Sequence, residues 1–373
     1  MEHTGVTPQV AVRSPELAEL VRSEGPFVTV YLATEADIDN AAQRSEQRWK
    51  TLRSDLTGAG APQAALDAIE ALVPDAHLEG QCLAAVAGPD GVRHVEHQPE
   101  PPRRDLGRVA PLPSIVPLLE WRQVSPPHVV VLADREGADL VAVRHAAEEI
   151  RREAGGTDGP IRKVGPGGWS QRRYQQRAEN TWQQNAQDVA NELIRLADQV
   201  DARLVVAAGD VRALQLLTDG LPRSLAERLQ VVEGGRAAGV SLDAVAEDVV
   251  RAVATAVAAD TVEVLRKFRE ERGQGDRAAD GPAATLTALA AAQVDMLLVH
   301  DDPDDERTAW FGPEPNQVGT TAAEVAGFGA SQPVEGRLVD VAVRAALGTG
   351  AGVRVVPGGG GPKGGLGAIL RWS

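Results

Sequence analysis

The sequence predicts a mixed α/β protein built from three domains. Its 373 residues exceed what one compact core ordinarily holds. Short apolar runs bounded by turn residues alternate with longer stretches of three- and four-residue apolar spacing, so strands and helices succeed one another. The prolines of Ser125-Pro126-Pro127 mark a linker, and a long helical stretch leads from the second unit into a third. The expected domains are residues 1–125, 126–257 and 258–373.

In the first domain, Phe27 to Leu32 (FVTVYL) reads as a strand and residues 38–57 as a polar helix. Ala64 to Leu72 is a second helix. Cys82 to Gly88 and Val92 to His97 form a hairpin around Pro89-Asp90-Gly91. The prolines from Gln98 onward make that segment a loop. The second domain opens with a strand-turn-strand from His128, turning at Arg135-Glu136-Gly137, followed by a glycine-rich loop and a helix reaching about Gln199. On that helix Tyr174, Ala178, Trp182, Ala186, Val189, Ala190, Leu193 and Ala197 share one apolar face, which leaves Arg172, Arg173 and Gln176 toward solvent. A strand from Arg203, a helix from Val211 to Thr218 and a strand at Leu229 to Val232 complete it. The helical stretch from Ser241 to about Glu271 follows, with a break expected near Ala259. The third domain alternates a helix (Ala283 to Gln293), a strand (Val294 to Asp301), an edge strand (Thr308 to Phe311), a helix (Arg337 to Leu347) and a strand (Val353 to Pro357). A glycine loop then leads to the terminal AILRW.

Composition narrows the function. With 43% hydrophobic and 24% charged residues the chain is globular, and with only 3% aromatics its core must rest on Ala, Val and Leu. A formal charge of −15 argues against general coating of nucleic acid, though not against one confined RNA contact. Only four of the 38 basic residues are lysines, so a single arginine carries little meaning here. The lone Cys82 lies in an apolar run, and no intrachain disulfide can form, as suits a reducing cytoplasm. The N-terminal residues lack the apolar core of a signal peptide, and no run reaches the roughly 18 apolar residues of a membrane span. A cytoplasmic location is expected.

One segment departs from this acidic background. From Gly159 to Ala178 there is no Asp or Glu, while Arg162, Lys163, Arg172, Arg173 and Arg177 give a local charge of +5. Gly167-Gly168-Trp169-Ser170-Gln171 leads into the helix that carries the last three. Glycines let a backbone approach a partner closely, and clustered cations beside an indole that either stacks outward or tucks into the domain's own core suit, in the first case, a polyanion with unpaired bases.

These features stand in the order found in a known group. VVVLADREGADLVAVR with the following Gly-Gly loop, the return strand RLVVAAGD, and the pair VDMLLVHD and GGLGAILRW resemble the bacterial archaeo-eukaryotic release factors. These are relatives of the eukaryotic class I release factor and Pelota, and include the mycobacterial and Balon-type ribosome hibernation factors. The resemblance covers residues 126–373 and is weaker over the first 125. It implies a release-factor/Pelota-like architecture with a central RNase H-like domain. The C-terminal domain is implied to be an α/β/α sandwich similar to kink-turn-binding ribosomal proteins. It further implies tRNA mimicry in the A site of the 70S ribosome, contact with rRNA through Arg162 to Arg177, and a stress role in hibernation. A translation GTPase is left open as a partner; no cofactor, metal, DNA or membrane is implied.

The resemblance also frames the chemistry. In a release factor a glutamine directly after two glycines helps position water against the peptidyl-tRNA ester. Here Trp169 and Ser170 intervene, so Gln171 is the sole candidate for hydrolysis and a non-catalytic plug is the leading reading. The Asn-Ile-Lys-Ser and Tyr-x-Cys motifs of stop-codon reading do not occur in residues 1–125. The helix with Arg44, Arg48, Lys50 and Arg53 is interleaved with Glu46 and Asp55 and reads as a solvated face. His94 and His97, three apart on a strand, point to opposite faces without a metal set. GGGGPKGGLG lacks the Lys-Ser/Thr of a phosphate loop and reads as a turn, with Lys363 exposed. The acidic run from Asp301 to Glu306 reads as a solvated loop. Asp210 sits where a catalytic acid often stands, with no second carboxylate at fixed spacing.

Overall fold

The computed structural model describes residues 12, 14–34, 40–134, 136–144, 149–155, 170–232, 242–275 and 277–372, with backbone alone at 170–182 and 242–244. Two compact units emerge. One is made of residues 11–123 together with 261–373, and the other contains 124–260.

The first segment runs α1 (Pro15–Leu20), β1 (Phe27–Ala33), α2 (Ala41–Gly58), α3 (Gln63–Glu70), α4 (Ala76–Glu79), β2 (Cys82–Gly88), β3 (Gly91–Gln98), β4 (Leu106–Ala110) and α5 (Val116–Val124). Its antiparallel sheet has the order β3-β2-β1-β4. β1 and β2 are buried at every position because both faces are covered. Val28, Val30, Leu32, Leu83 and Ala85 pack with Trp49, Leu66 and Ile69 of α2 and α3. Phe27, Tyr31, Ala84 and Val86 face the other way, into a core shared with α1, α5 and the C-terminal segment.

The central unit contains β5 (His128–Ala133), β6 (Gly137–Val143), β7 (Glu149–Gly155), α6 (Ser170–Val200), β8 (Leu204–Gly209), α7 (Val211–Gly220), α8 (Arg223–Ala226) and β9 (Leu229–Val231). The sheet order is β7-β6-β5-β8-β9, antiparallel from β7 to β5 and parallel from β5 to β9. This is the RNase H-like arrangement. Alternation is visible along β8. Val205 and Ala207 pack under α6 and α7, whereas Leu204 and Val206 pack under Val253 and Val257 of α9 (Leu242–Gln274). Helices on both faces explain why this strand reads as one continuous apolar run. The expected break near Ala259 is absent, and α9 continues through it.

The C-terminal segment comprises β10 (Ala278–Asp280), α10 (Pro282–Ala290), β11 (Val294–Val299), β12 (Thr308–Phe311), β13 (Val318–Gly319), α11 (Ala322–Gly327), β14 (Val334–Arg337), α12 (Leu338–Gly348), β15 (Gly352–Val355) and β16 (Leu366–Leu370). Its main sheet is ordered β10-β16-β11-β15. Val264 and Phe268 of α9 cover one face with Met296, Leu298 and Ile369. Leu286, Leu289, Val341 and Ala345 of α10 and α12 cover the other. The result is the α/β/α sandwich. Thr308–Phe311, expected as an edge strand, is instead the middle strand of a separate sheet ordered β13-β12-β14. Its partners are two and four residues long, too short for periodicity to register.

This segment and the first are joined by specific polar contacts within their common unit. Gln123 donates through Nε2 to the Val355 carbonyl and accepts from the Val355 amide, both at 2.8 Å. Ser114 Oγ donates to Asp340 Oδ2 at 2.8 Å, and the Tyr31 hydroxyl donates to the Ser114 carbonyl at 2.8 Å. On the same strand as Val355, Val353 is bridged by Val12 in antiparallel fashion.

Candidate RNA-facing loop and its support

The candidate loop lies between Gly155, the last residue of β7, and Ser170, the first of α6. Its root is built from backbone. Gly155 has φ +90°, and a Cβ there would stand 2.7 Å from the Gly137 Cα on the facing strand. Gly137 is also required: its Cβ would meet the Ala154 carbonyl oxygen at 2.4 Å. Asp134 steadies the same end, its Oδ1 accepting from the amides of Glu136 (2.7 Å) and Gly137 (2.9 Å). β7 itself escapes the sequence reading, because Glu-Ile-Arg-Arg-Glu is a charged, largely exposed edge strand with little apolar alternation.

Of the expected site residues, Arg162, Lys163, Gly167, Gly168 and Trp169 lie outside the described residues. Ser170, Gln171, Arg172, Arg173 and Arg177 occupy the first turns of α6. That first turn has no acidic residue. Arginines at a helix N-terminus oppose the macrodipole, which there favours anions, so they do not serve the helix itself. Farther along, Val189, Ala190, Leu193 and Ala197 are buried as expected, and Leu196 and Val200 join them. Tyr174, Ala178 and Trp182 lie where only the backbone is described.

Asp210 gains a neighbour that spacing along the chain does not reveal. Ala133 and Gly209 pair at the ends of parallel strands β5 and β8, so Asp134 and Asp210 follow side by side. Both carboxylates serve the backbone. Asp210 caps α7, its Oδ1 accepting from the amides of Arg212 (2.9 Å) and Ala213 (3.1 Å). Gly209 permits this turn, since a Cβ would lie 1.9 Å from the Ala133 carbonyl oxygen. The pair is accounted for as turn and cap.

Other candidates resolve similarly. On α2, Arg48 pairs with Asp105 at 3.0 Å and Arg53 with Asp67 at 2.6 Å and with Glu70. In the acidic loop, Asp301 pairs with Arg337 at 2.5 Å, Asp304 with Arg104 at 2.7 Å and Asp305 with Arg307 at 2.5 Å. Among the described residues no cluster of His, Cys, Asp and Glu is arranged to hold a metal. The glycine-rich segment enters β16 through a 3-10 turn at Lys363–Gly365, with the Lys363 side chain exposed.

Sequence reasoning passed over two buried ionic clusters. His94, Glu96 and Gln98 are all buried on one face of β3. Arg122 of α5 reaches Glu96 at 2.8 Å and Glu16 at 3.2 Å, and donates to Ser14 Oγ at 2.8 Å. The two-residue spacing was the available signal. Burial raises the Glu96 carboxyl, but the hydrogen bond from His94 and the charge of Arg122 outweigh it and hold the group below its ordinary range. The second cluster centres on Asp340, where burial pushes the carboxyl up to about 6 against Arg337, Ser114 and Arg108. It lies inside α12 among apolar neighbours and leaves no pattern in the sequence.

Residues 127–274 match the family described as bacterial archaeo-eukaryotic release factor family 2. The uncharacterized protein Rv2629 of Mycobacterium tuberculosis (strain ATCC 25618 / H37Rv) is 29% identical over 374 residues, covering 97% of each chain. Three solved structures are similar at low identity. The ribosome-bound archaeal Pelota in a model with ABCE1 is 15% identical, with TM-score 0.40 and coverage of 100% of this chain and 99% of that one. The archaeal translation termination factor aRF1 is 18% identical, with TM-score 0.26 and coverage of 95% and 96%. Archaeoglobus fulgidus Pelota is 14% identical, with TM-score 0.30 and coverage of 96% and 91%. Among the described residues no helix is long and apolar enough to cross a membrane.

Proposed function

We propose that this release-factor-like chain binds the 70S ribosome in the A site as a non-catalytic hibernation factor. In this reading, Gly167 to Gln171 reaches the peptidyl-transferase centre. One observation carries the reading: an acid-free stretch with five cations joins β7 to α6, and its arginines stand at the helix end where the macrodipole favours an anionic partner. Trp169 supplies a stacking surface for an unpaired base, and Arg162, Lys163, Arg172, Arg173 and Arg177 supply phosphate contacts. The negative charge of the remaining chain confines that contact to this segment. The test is co-sedimentation of the full chain with 70S ribosomes over a salt series. Binding that weakens with salt and is lost in Arg172→Glu/Arg173→Glu is expected; no binding at low salt overturns the proposal.

A second reading is peptidyl-tRNA hydrolysis. It is favoured by Gln171 standing as the second residue of α6, where its amide lies among the free N–H groups of the first turn. Release of peptide from ribosome-bound tRNA that disappears in Gln171→Ala would establish it. No release by the unaltered chain leaves the plug.

A further inference from the structure

The segment 14–21, which carries α1, forms an arm whose Glu16 reaches His94 on β3. His94 is buried on β3, and both ring nitrogens face carboxylates: Nδ1 lies 2.9 Å from Glu16 Oε1 and Nε2 lies 3.3 Å from Glu96 Oε2. A neutral imidazole has one N–H and can donate to only one of them, leaving a ring lone pair against the other carboxylate. Only the imidazolium donates to both. The charges facing it are Glu16 from α1, Glu96 from its own strand and Arg122 from α5; the neutral Ser14 and Gln98 complete the surroundings, with Gln98 donating to Glu96. Two carboxylates against the single Arg122 leave one negative charge in the cluster, which a protonated His94 neutralises.

The two carboxylates differ in their freedom. The Glu96 side chain is 3% exposed and cannot leave, whereas that of Glu16 is 61% exposed and can turn to water. We propose that protonated His94 acts as a clasp, adding to Arg122 a second hold on Glu16 of α1, and that its neutral form keeps Glu96 and leaves Glu16 to Arg122 alone. The arm then retains the bonds from Arg122 to Ser14 and Glu16, the apolar contacts of Leu17, Leu20 and Val21, and the bridge from Val12 to Val353 on the edge strand β15. The weaker hold on Glu16 loosens the cover over that edge.

Hydrogen exchange of the amides of residues 14–21 in the full chain, corrected for the intrinsic pH dependence of exchange, reads the clasp directly. Protection should fall roughly three- to tenfold from the acidic to the alkaline end of a pH series, as the charge-assisted bond to Glu16 is lost. In His94→Gln and in Glu16→Gln, the latter at an exposed position, protection should no longer vary with pH. Asp340→Asn should leave the variation in place, which separates the clasp from the buried acid of α12. Protection that is equal at both ends of the series in the unaltered chain overturns the proposal. So does a pH dependence that survives in Glu16→Gln.

Discussion

Gly155 faces Gly137 across the final rung of the β6–β7 ladder, so close that a Cβ on Gly155 would stand 2.7 Å from the Gly137 Cα. The candidate RNA-facing loop starts from this contact. The described end of β7 therefore depends on backbone geometry at Gly155 and Gly137.

Gly155→Ala should lower the stability of the central unit by about 1–3 kcal/mol, because it adds strain at positive φ to a backbone clash. Gly58→Ala, at the end of α2 with nothing within 4 Å of the added Cβ, should be neutral or stabilising by up to about 1 kcal/mol. Denaturant midpoints of the two variants decide it, and equal effects would refute the account.

Trp169→Ala should weaken ribosome binding by about 1–3 kcal/mol if the indole stacks on a base. Gln171→Ala should leave binding unchanged if the loop plugs rather than cleaves. Salt-dependent pelleting assays measure both, and full retention of affinity by Trp169→Ala removes stacking from the mechanism.

Asp340 should make the unit of residues 11–123 and 261–373 less stable as pH rises. Its folded value of about 6 lies above the ordinary 3.8, so its contribution is fully present below pH 3.8 and is lost as pH climbs through 6. The loss is on the order of 3 kcal/mol. Asp340→Asn, which keeps an acceptor for Ser114, should gain on the unaltered chain over that window. Parallel stability–pH curves for the two proteins would contradict this.

Glu96 works in the opposite sense. Its folded value is depressed, so its stabilisation is present above the ordinary 4.5 and is lost as pH falls through the lower folded value. Glu96→Gln should flatten this acid limb while leaving the Asp340 limb intact. Urea unfolding below pH 5 measures it; an unchanged acid limb would count against the assignment.

Gln123→Ala should cost about 2–4 kcal/mol, since it strands the buried amide and carbonyl of Val355 together. Because those bonds join residues 11–123 to 261–373, the variant should loosen both segments at once, as seen by exchange in β15 and α5. Protection lost in only one segment would argue that the two do not unfold together.

Much of this protein is determined by local sequence. β1, β8, β11 and the lower half of α6 declare themselves because their apolar runs are long, and a strand covered on both faces needs no alternation to be recognised. Helix caps such as Asp210 and the positive-φ turns are local chemistry too. The cationic stretch from Gly159 to Ala178 is visible in composition alone.

Other features exist only in three dimensions. β7 is a strand because β6 offers its edge; its own charged residues would not predict one. Asp134 meets Asp210 only through the parallel pairing of β5 with β8. Glu16, His94 and Arg122 converge from three elements, and Ser114 finds Asp340 from 226 residues away. Hydrophobic spacing is written along the chain, but the partners of buried charges are chosen by packing. Those partners emerge only when the elements close upon one another.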